Sequence, residues 1–408
     1  MYRRKGGTRF GSVHGDSAIR FDDVKGVIMD IKDLREKIDG IDKELTSLFC
    51  KRMQVAGDIA RYKVENKLPV HDSERERQLL CKVHDLADKE VAQYAKVLFT
   101  TIMDLSKSYQ NKILQSESDL SKKIEKAVNE TPKLFPERAR VACQGVEGAY
   151  SQKACDKMFS LADITYVNTF ANVFQAVESG LCDYGIVPLE NSTAGSVNQT
   201  YDLLAKHDFY IVRSLRMQVN HVLLSKKGVK MEQVKEIFSH EQAINQCSSF
   251  LKTLKNVKIT VVANTAIAAR MVASSDRTDV CAISSYDCAE QYGLNILKEK
   301  IQDTDSNFTK FICISKNLEI YTGANRTSVV FSTAHKPGAL YNVMARLSAL
   351  GVNIIKLESR PIVGKDFEFL FYFDLDCSVY SPEFTQLIFE LETQVQGFKY
   401  FGSYTEIH

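Results

Sequence analysis

The sequence lacks an excess of charge, long apolar runs and paired cysteine motifs. Its 53 basic and 51 acidic residues nearly balance, so the composition does not indicate a nucleic-acid or membrane partner. Its apolar runs fall well short of the length that a membrane-spanning helix needs. The ten cysteines, from Cys50 to Cys377, include no Cys-x-x-Cys pair. This pattern is typical of reduced thiols in a cytosolic protein rather than of a disulfide framework or a zinc site.

The N-terminus lacks the apolar segment of a secretory signal. Residues 1–29 are basic and rich in Gly and Arg, and they are predicted to be a disordered tail or an extension of the start site. Met29 is an alternative first residue. With the cysteine pattern, these features predict a cytoplasmic location.

The 408 residues, 44% of them apolar, are sufficient for two to four domains with their own cores. From Ile31 to Tyr62 the apolar residues recur at intervals of three and four, which predicts one long helix with Asp30 as its N-cap. Such a helix is about 50 Å long at ~1.5 Å per residue. That is too long for a compact monomeric domain, so it is predicted to pair with other helices or with another chain.

Cationic residues lie on or beside this apolar stripe. Arg52 takes a stripe position, where a buried charge requires a paired anion. Arg35 lies roughly 26 Å from Arg52 along the axis at ~1.5 Å per residue, so one helix cannot present both to one small anion. An antiparallel copy of the helix would bring Arg35 of one chain near Arg52 and Lys63 of the other. The pattern therefore predicts a two-fold dimer with two shared sites.

The stretches LREKID, KRM, YK and DSERER come in this order before a third predicted helix that carries Ser106 and Gln110 on one face. This pattern resembles the all-helical chorismate mutases, and the resemblance covers about Ile31 to Ser116. It predicts a helical mutase domain over residues 30–116. A pericyclic rearrangement needs no nucleophile or general base, only a held conformer and stabilised charge on the ether oxygen.

The resemblance implies a role for each matching residue. Three cations would bind the two substrate carboxylates: Arg35 of a partner chain, Arg52 and Lys63. Lys63 would also contact the breaking ether oxygen together with Gln110. Two acidic residues would hold the ring hydroxyl, and two further residues would line the site: Asp72 and Glu76, then Arg75 and Ser106.

A polar stretch over residues 117–138 is predicted to be a helix tail and linker. After it, strands and helices alternate, which predicts an α/β domain with a parallel sheet over residues 139–318. The predicted elements are strand Arg140–Gln144, helix Gln152–Phe159, strand Ile164–Asn168, helix Phe170–Ser179 and strand Tyr184–Pro188.

Four short stretches in this part carry polar residues near strand ends: GVEGAYS from Gly145, VPLENSTAG from Val187, SHEQ from Ser239 and NFTKF from Asn307. Each stretch, taken alone, can be explained by local structure without a functional site. GVEGAYS lacks the G-x-G-x-x-G spacing of a nucleotide site, and Thr309 in NFTKF fits an ordinary strand because β-branched residues favour strands. Together they resemble the four signature stretches of the prephenate dehydratases, over about Arg140 to Ser315.

This second resemblance implies a two-lobed fold like that of periplasmic binding proteins, with residues 220–285 as the second lobe and the site in the cleft. Prephenate would lose carbon dioxide and its ring hydroxyl to give phenylpyruvate, with Thr309 donating a proton or hydrogen bond to the hydroxyl. Ser151 and the Gly148 turn would take a carboxylate. No metal or organic cofactor is implied. The other residues implied to bind substrate are Glu190, Asn191, Ser192, Ser239, Gln246, Asn307, Phe308 and Lys310.

Two positions depart from the family pattern. Family members usually have Arg where Lys310 stands, and often Pro where Glu241 stands. Lys keeps the charge but cannot make a bidentate contact with a carboxylate, so affinity would differ if Lys310 touches the substrate.

The C-terminal part, residues 326–408, has the predicted order strand, helix, strand, strand, helix, strand, which indicates a ferredoxin-like sandwich. Two stretches stand out in this part: GAL at Gly338 to Leu340 and ESRP at Glu358 to Pro361. On local pattern, Gly338 is a helix-start turn and ESRP is a strand end. Both stretches resemble the phenylalanine-binding ACT domains of dehydratases, in which the ligand lies between two such domains. The implied L-phenylalanine residues are Gly338, Ala339, Leu340, Glu358, Ser359, Arg360 and Pro361.

The whole pattern predicts a multidomain enzyme of phenylalanine biosynthesis. It would convert chorismate to prephenate and prephenate to phenylpyruvate, with feedback inhibition by L-phenylalanine, as a homodimer or higher homo-oligomer. Two alternatives stay open. One is a non-catalytic amino-acid sensor, and the other is a dehydratase that prefers arogenate.

Overall fold

The computed structural model describes residues 30–66, 73–113, 118–362 and 368–408. The predicted N-terminal tail and the predicted mutase residue Asp72 lie outside these ranges. The chain divides into two compact units, one ending at Ile59 and the other running from Ala60 to His408. Within the described ranges, no helix is both long and apolar enough to cross a membrane.

The N-terminal segment is helical, as predicted. Its helices are α1 (Ile31–Glu65), α2 (Ser73–Leu86) and α3 (Ala92–Ile113). The apolar stripe of α1 is exposed along its length: Ile38 and Ile41 are each 56% exposed, and Leu48 is 60% exposed. A contiguous apolar face of this length is typical of a surface that another helix covers.

The predicted linker contains a packed helix, α4 (Asp119–Glu130). The Ser118 side chain caps it by accepting a hydrogen bond from the Ser121 backbone. Ile124 and Ala127 are 3% and 8% exposed and belong to the C-terminal core. The polar composition of this stretch concealed the helix, because only one narrow face is apolar.

The first lobe of the α/β part is built on a mixed sheet rather than the predicted parallel one. β1 pairs parallel with β2 and β3, but β11 pairs antiparallel with β3 and β5. The chain leaves this lobe at the C-terminal end of β5. It returns at the same end of the sheet, where β11 begins, so β11 runs in the opposite direction to β5 and β3. The elements are β1 (Arg138–Gln144), α5 (Tyr150–Met158), β2 (Leu161–Val167), α6 (Phe170–Glu178), β3 (Tyr184–Asn191), β4 (Gly195–Ser196), α7 (Asn198–Lys206), β5 (Tyr210–Gln218) and β11 (Phe308–Ser315).

The second lobe lies between β5 and β11 in the chain and has its own sheet, in the order β10-β6-β9-β7-β8. It extends to Lys298, beyond the predicted limit at residue 285, because β10 pairs antiparallel with β6. Its elements are β6 (Val222–Ser225), β7 (Glu236–Ser239), α8 (Glu241–Gln246), α9 (Ser248–Lys252), β8 (Lys258–Val261), α10 (Thr265–Ser274), β9 (Val280–Ser284), α11 (Tyr286–Gln291) and β10 (Asn295–Lys298).

The C-terminal part has the predicted βαββαβ order, with its strands in the order β13-β14-β12-β15 and all neighbours antiparallel. We call this part the C-terminal sandwich. The last residues of β15, Thr405 to Ile407, also pair with β5, so one ten-stranded sheet runs through the sandwich and the first lobe. Its elements are β12 (Arg326–Ser332), α12 (Ala339–Ala349), β13 (Asn353–Pro361), β14 (Phe369–Asp376), α13 (Phe384–Gln394) and β15 (Gln396–Ile407).

Replacing Ile124 by Ala should loosen the C-terminal sandwich, because a buried Ile→Ala change costs about 2–5 kcal/mol. Hydrogen–deuterium exchange followed by mass spectrometry should show faster exchange in peptides from α13. The control Leu134→Ala changes a side chain that is 83% exposed and should leave this exchange unaltered. Equal exchange in all three proteins would contradict the packing of α4.

Candidate active sites

A cavity of about 410 Å³ lies between the two lobes. β3 and β11 of the first lobe contribute Asn191 and Thr309, and the segments around β7 and α8 of the second lobe contribute His240 and Gln246. His221, in the connection from β5 to β6, also lines it. Its described lining residues include no Lys or Arg, so the cavity can bind anions only through neutral donors and backbone groups.

Thr309 and Asn191 face each other across the β3–β11 pair. Both are buried, at 8% and 3% exposure. Asn191 Nδ2 donates to Thr309 Oγ1 over 2.9 Å and to Asn307 Oδ1 over 2.8 Å. The two residues therefore form one hydrogen-bonded unit at the floor of the cavity.

The orientation of the Asn191 amide is determined by its backbone partners. Asn191 Oδ1 accepts hydrogen bonds from the backbone N–H groups of Thr193 and Ala194, at 3.1 and 2.9 Å. A backbone N–H can only donate, so this atom must be the oxygen and the nitrogen must face Thr309. Thr309 Oγ1 is then an acceptor towards Asn191, which leaves its own hydrogen available to a group in the cavity.

Gln246 connects the second lobe to this unit. Its Nε2 donates to Thr193 Oγ1 over 2.7 Å and to Asn191 Oδ1 over 3.2 Å, and its Oε1 accepts from Asn307 Nδ2 over 3.1 Å. A single amide from α8 thus contacts both strands of the first lobe that carry the polar cluster.

His221 completes the chain of hydrogen bonds. Its Nε2 lies 2.8 Å from Gln246 Oε1, and since that oxygen accepts, Nε2 must carry the hydrogen. Burial lowers the pKa of His221, although the bond to Gln246 opposes this effect. The ring is therefore neutral near pH 7, with a bare Nδ1 that has no hydrogen-bond partner among the described residues.

Two helices begin at the cavity. Tyr150 and Ser151 open α5 in the first lobe, and Asn264 caps α10 in the second by accepting from the Ile267 backbone. Helix N-termini attract anions through their unpaired N–H groups and the helix dipole. Gly148 was expected to help with a carboxylate, but its N–H donates to the Gln152 side chain over 2.7 Å.

Four residues that the resemblance implied to bind substrate lie on the opposite face of the β3–β11 pair, because side chains alternate along a strand. Lys310 Nζ lies 2.8 Å from Asp374 of the C-terminal sandwich, and Glu190 lies 3.1 Å from Lys356. The structure thus places neither charge in the cavity. The four residues line a separate cavity of about 390 Å³: Glu190, Ser192, Phe308 and Lys310.

Of the remaining residues predicted to bind the dehydratase substrate, some line the main cavity and others do not. Ser151 lines the main cavity, whereas Asn307 lines a neighbouring one and reaches the polar cluster through its amide. Ser239 is fully buried and donates to the Ile283 carbonyl, so its hydroxyl links β7 to β9 instead of facing the cavity. Sequence reasoning missed His221 as a site residue, because only the fold brings the β5–β6 connection to the cleft.

The predicted mutase residues are on the helices as expected. In the first unit, Arg35 is exposed, while Arg52 is half-buried and burial lowers its pKa. In the second unit, Glu76 on α2 pairs with Lys107 on α3 at 3.3 Å. This pair shows that α2 and α3 pack together.

Other mutase positions in the second unit differ in exposure. Lys63 is half-buried and Arg75 is exposed. Ser106 is buried and donates to the Ile102 carbonyl over 2.7 Å. Gln110 is 8% exposed, and its Oε1 has no hydrogen-bond partner among the described residues.

The predicted phenylalanine residues lie at two places in the C-terminal sandwich. Gly338, with φ of +82°, leads into α12, where Ala339 and Leu340 form the first turn. On β13, Glu358 accepts from Ser196 over 2.7 Å, and Arg360 pairs with Asp202 at 3.1 Å. Two of the predicted residues are exposed on the other side of the strand: Ser359 and Pro361.

Comparison with known proteins matches two families to the two parts of the chain. Residues 34–111 match the family Chorismate mutase type II, and residues 141–319 match the family Prephenate dehydratase. The two matches therefore define an enzyme with an isomerase segment followed by a lyase segment.

Known proteins are similar to most or to part of the chain. A bifunctional chorismate mutase/prephenate dehydratase of Aquifex aeolicus is 33% identical over 92% of this chain and 98% of its own length. An arogenate dehydratase/prephenate dehydratase of Arabidopsis thaliana is 36% identical over 65% of this chain and 73% of its own. A prephenate dehydratase from Arthrobacter aurescens, solved in complex with L-Phe, is 29% identical with a TM-score of 0.59, covering 65% of this chain and 89% of that one.

This chain belongs to the family of bifunctional chorismate mutase/prephenate dehydratases. It is an enzyme of phenylalanine biosynthesis that converts chorismate to prephenate and prephenate to phenylpyruvate. This result confirms the two predicted reactions and removes the alternative of a non-catalytic sensor.

Replacing Asn191 by Asp should reduce dehydratase kcat about 10²-fold or more, the usual cost of losing one oriented donor. The new carboxylate would still accept from the Thr193 and Ala194 backbones but would draw the Thr309 hydrogen away from the substrate. Steady-state assays of phenylpyruvate formation measure the effect, and mutase activity of the same preparation is the control. Unaltered dehydratase kcat would contradict the assigned orientation of the Asn191 amide.

Proposed function

We propose that dehydration occurs in the cavity between the lobes, with Thr309 as the donor to the departing ring hydroxyl of prephenate. The observation that carries this role is the Asn191 amide, which occupies one lone pair of Thr309 and leaves the hydroxyl hydrogen for the substrate. As that hydrogen moves towards the leaving oxygen, the Asn191 donor stabilises the charge that develops on Thr309 Oγ1.

The reaction breaks two bonds of the substrate. The bond from the ring to its carboxylate releases carbon dioxide, and its electron pair forms a ring double bond as the carbon–oxygen bond to the hydroxyl breaks. The hydroxyl leaves as water with one proton, which Thr309 delivers and solvent replaces. Aromatisation of the ring drives both cleavages, so the protein's main task is to hold the substrate and assist the leaving oxygen.

The carboxylates of the substrate would bind at the N-termini of α5 and α10. The cavity's described lining has no cation, and these two helix starts lie in opposite lobes with Ser151 and Thr265 at their first turns. His221 holds Gln246 in place rather than contacting an anion, since its Nε2–H already points to Gln246.

For the mutase reaction, we propose the roles that the resemblance implies. Arg52 is half-buried, and a substrate carboxylate beside it would offset the cost of burying its charge. The Gln110 amide is buried with an unpaired oxygen, consistent with a residue that completes its hydrogen bonds with a ligand. The exposed apolar stripe of α1 supports the proposed dimer.

The C-terminal sandwich is proposed to be an ACT domain that binds L-phenylalanine and inhibits the dehydratase. Its βαββαβ topology supports this assignment, as does the presence of L-Phe in the complex solved for the Arthrobacter aurescens relative. The GAL and ESRP stretches lie on α12 and β13 of this sandwich.

Arogenate is the second candidate substrate of the dehydratase, because the Arabidopsis thaliana relative is named for both activities. Arogenate carries an amino group where prephenate carries a keto group. The ratio of kcat/KM for the two substrates shows which of them the dehydratase prefers.

Two single substitutions should separate the activities. Thr309→Ala should lower dehydratase kcat about 10²-fold or more while mutase kcat stays unaltered, because Thr309 acts only in the cleft. Arg52→Ala should lower mutase activity by a similar factor and leave the conversion of added prephenate unaltered. If either substitution abolished both activities in a folded protein, the assignment of separate sites would be wrong.

L-phenylalanine should lower the dehydratase rate of the full chain. Gly338→Ala should raise the concentration needed for half inhibition several-fold, since Ala at positive φ costs about 1 kcal/mol and displaces the turn. Gly351→Ala, at φ of +69° after the other end of α12, is the matched control and has equally open space around it. Equal shifts in both variants, or no inhibition of the unmodified chain, would contradict the site.

A further inference from the structure

The β3–β11 pair presents different residues to its two sides. Asn191 pairs with Thr309 on the cavity side, and the adjacent cross-strand pair is Glu190 with Lys310. Since side chains alternate along a strand, this second pair projects away from the cavity. Each cavity residue thus has a charged neighbour, one peptide bond away, on the opposite face.

Both charged neighbours are bound by residues of the C-terminal sandwich. Lys310 Nζ lies 2.8 Å from Asp374 on β14 and 3.5 Å from Glu406 on β15. Glu190 lies 3.1 Å from Lys356 on β13. Three strands of the sandwich, β13, β14 and β15, therefore contact β3 and β11 on the face opposite the cavity.

The contacts of Lys310 are shielded from water, whereas Glu190 in the other pair is 36% exposed. The side chains of Lys310, Asp374 and Glu406 are 7%, 12% and 10% exposed. Burial disfavours the Lys310 charge, but Tyr404, Asp374 and Glu406 outweigh it and raise the pKa of Lys310 above its usual range. Removing the Asp374 charge would leave Glu406, at 3.5 Å, as the remaining carboxylate partner of the buried Lys310 charge. The weaker pairing of a buried charge favours a shift of the strand that carries it.

β13 makes the contact more extensive. Lys356 also donates to Ser196 over 2.9 Å, and Glu358 accepts from the same hydroxyl. Ser196 lies on β4, opposite Glu190 in the register with β3. The sandwich therefore holds β3 both at Glu190 and through its hairpin partner.

We propose that Asp374 and Lys356 are positioning residues for the dehydratase reaction, which hold Lys310 and Glu190 so that Thr309 and Asn191 keep their alignment in the cleft. The inference rests on the proposed role of Thr309. It assigns Lys310 to alignment of the strand instead of to substrate binding, and it makes the C-terminal sandwich part of the dehydratase's structural support.

Asp374→Asn in the full chain tests the first residue. It keeps the shape of the side chain and removes its charge, and it should lower dehydratase kcat about tenfold to a hundredfold, the effect of a misalignment of about 1 Å. KM for prephenate should change less than about threefold, because the carboxylate-binding helix ends are untouched. The mutase activity of the same preparation should be unaltered.

Asp376→Asn is the matched control. Asp376 lies two residues further along β14 and pairs with Arg326 of the sandwich's own β12, with 51% of its side chain exposed. An equal loss of dehydratase kcat in this control would mean that loosening of the sandwich, not alignment, causes the effect. An unaltered kcat in Asp374→Asn would also overturn the proposal.

A double-mutant cycle shows whether Asp374 acts through Lys310. Once Lys310→Met has been introduced, adding Asp374→Asn should have no further effect on kcat. If the two substitutions acted independently, their fold losses in kcat would multiply. Lys310→Arg, which keeps the charge, should retain kcat within about threefold. If the fold losses in kcat multiply in this cycle, action through Lys310 is refuted.

Lys356→Met provides an independent test if Asp374→Asn fails to fold. It should lower dehydratase kcat with little change in KM, and an unaltered kcat would overturn the role of Lys356. Thr309→Ala in the same assay separates this inference from the proposed function. Full activity of Thr309→Ala would refute the donor, whereas inactive Thr309→Ala with fully active Asp374→Asn and Lys356→Met would refute only the positioning.

Discussion

The antiparallel pairing of β3 with β11 is the constraint on which the proposed dehydratase site depends. β11 enters the first lobe only after the chain has completed the second lobe, and its register with β3 places Thr309 opposite Asn191. Because the two strands share backbone hydrogen bonds, the side chains on their two faces move together. The cavity face carries the hydrogen-bonding cluster and the other face carries charges held by the C-terminal sandwich.

The absence of Lys and Arg from the described lining of the cavity has a chemical consequence for a decarboxylation. A carboxylate that leaves as carbon dioxide loses its charge on the way to the transition state. A directly paired cation would stabilise the substrate more than the transition state and would raise the barrier. Helix N-termini and neutral amides bind the anion more weakly. They can still orient it in a cavity where burial keeps the His221 ring neutral.

Several parts of this arrangement were predictable from the sequence. The period of the apolar residues predicted α1, and the strand and helix order predicted the βαββαβ sandwich, because these signals are local and repeat over many residues. The polar residues of NFTKF and of the stretch containing Asn191 were also recognised as site candidates. Only together with GVEGAYS and SHEQ did these stretches resemble the dehydratases, and that resemblance associated them with the cleft.

Other parts were not predictable for physical reasons. The resemblance implied that Lys310 and Glu190 bind substrate. Each of them adjoins a cavity residue, Thr309 or Asn191, and adjacent residues on a strand face opposite sides of the sheet. The direction of β11 depends on where the chain re-enters the first lobe, which no local pattern records. α4 was missed because the core that covers its narrow apolar face comes from the distant α13.

The sequence by itself determined the long helix α1 and the βαββαβ order of the C-terminal sandwich, and it supplied the signature stretches that associate the chain with its two reactions. Only the tertiary structure decided which side chains reach the cavity and which bind the sandwich. It also decided the direction of the Asn191 amide and the position of His221. These features depend on strand register and on contacts between residues far apart in the chain, whereas sequence patterns report mainly on neighbours within a few turns.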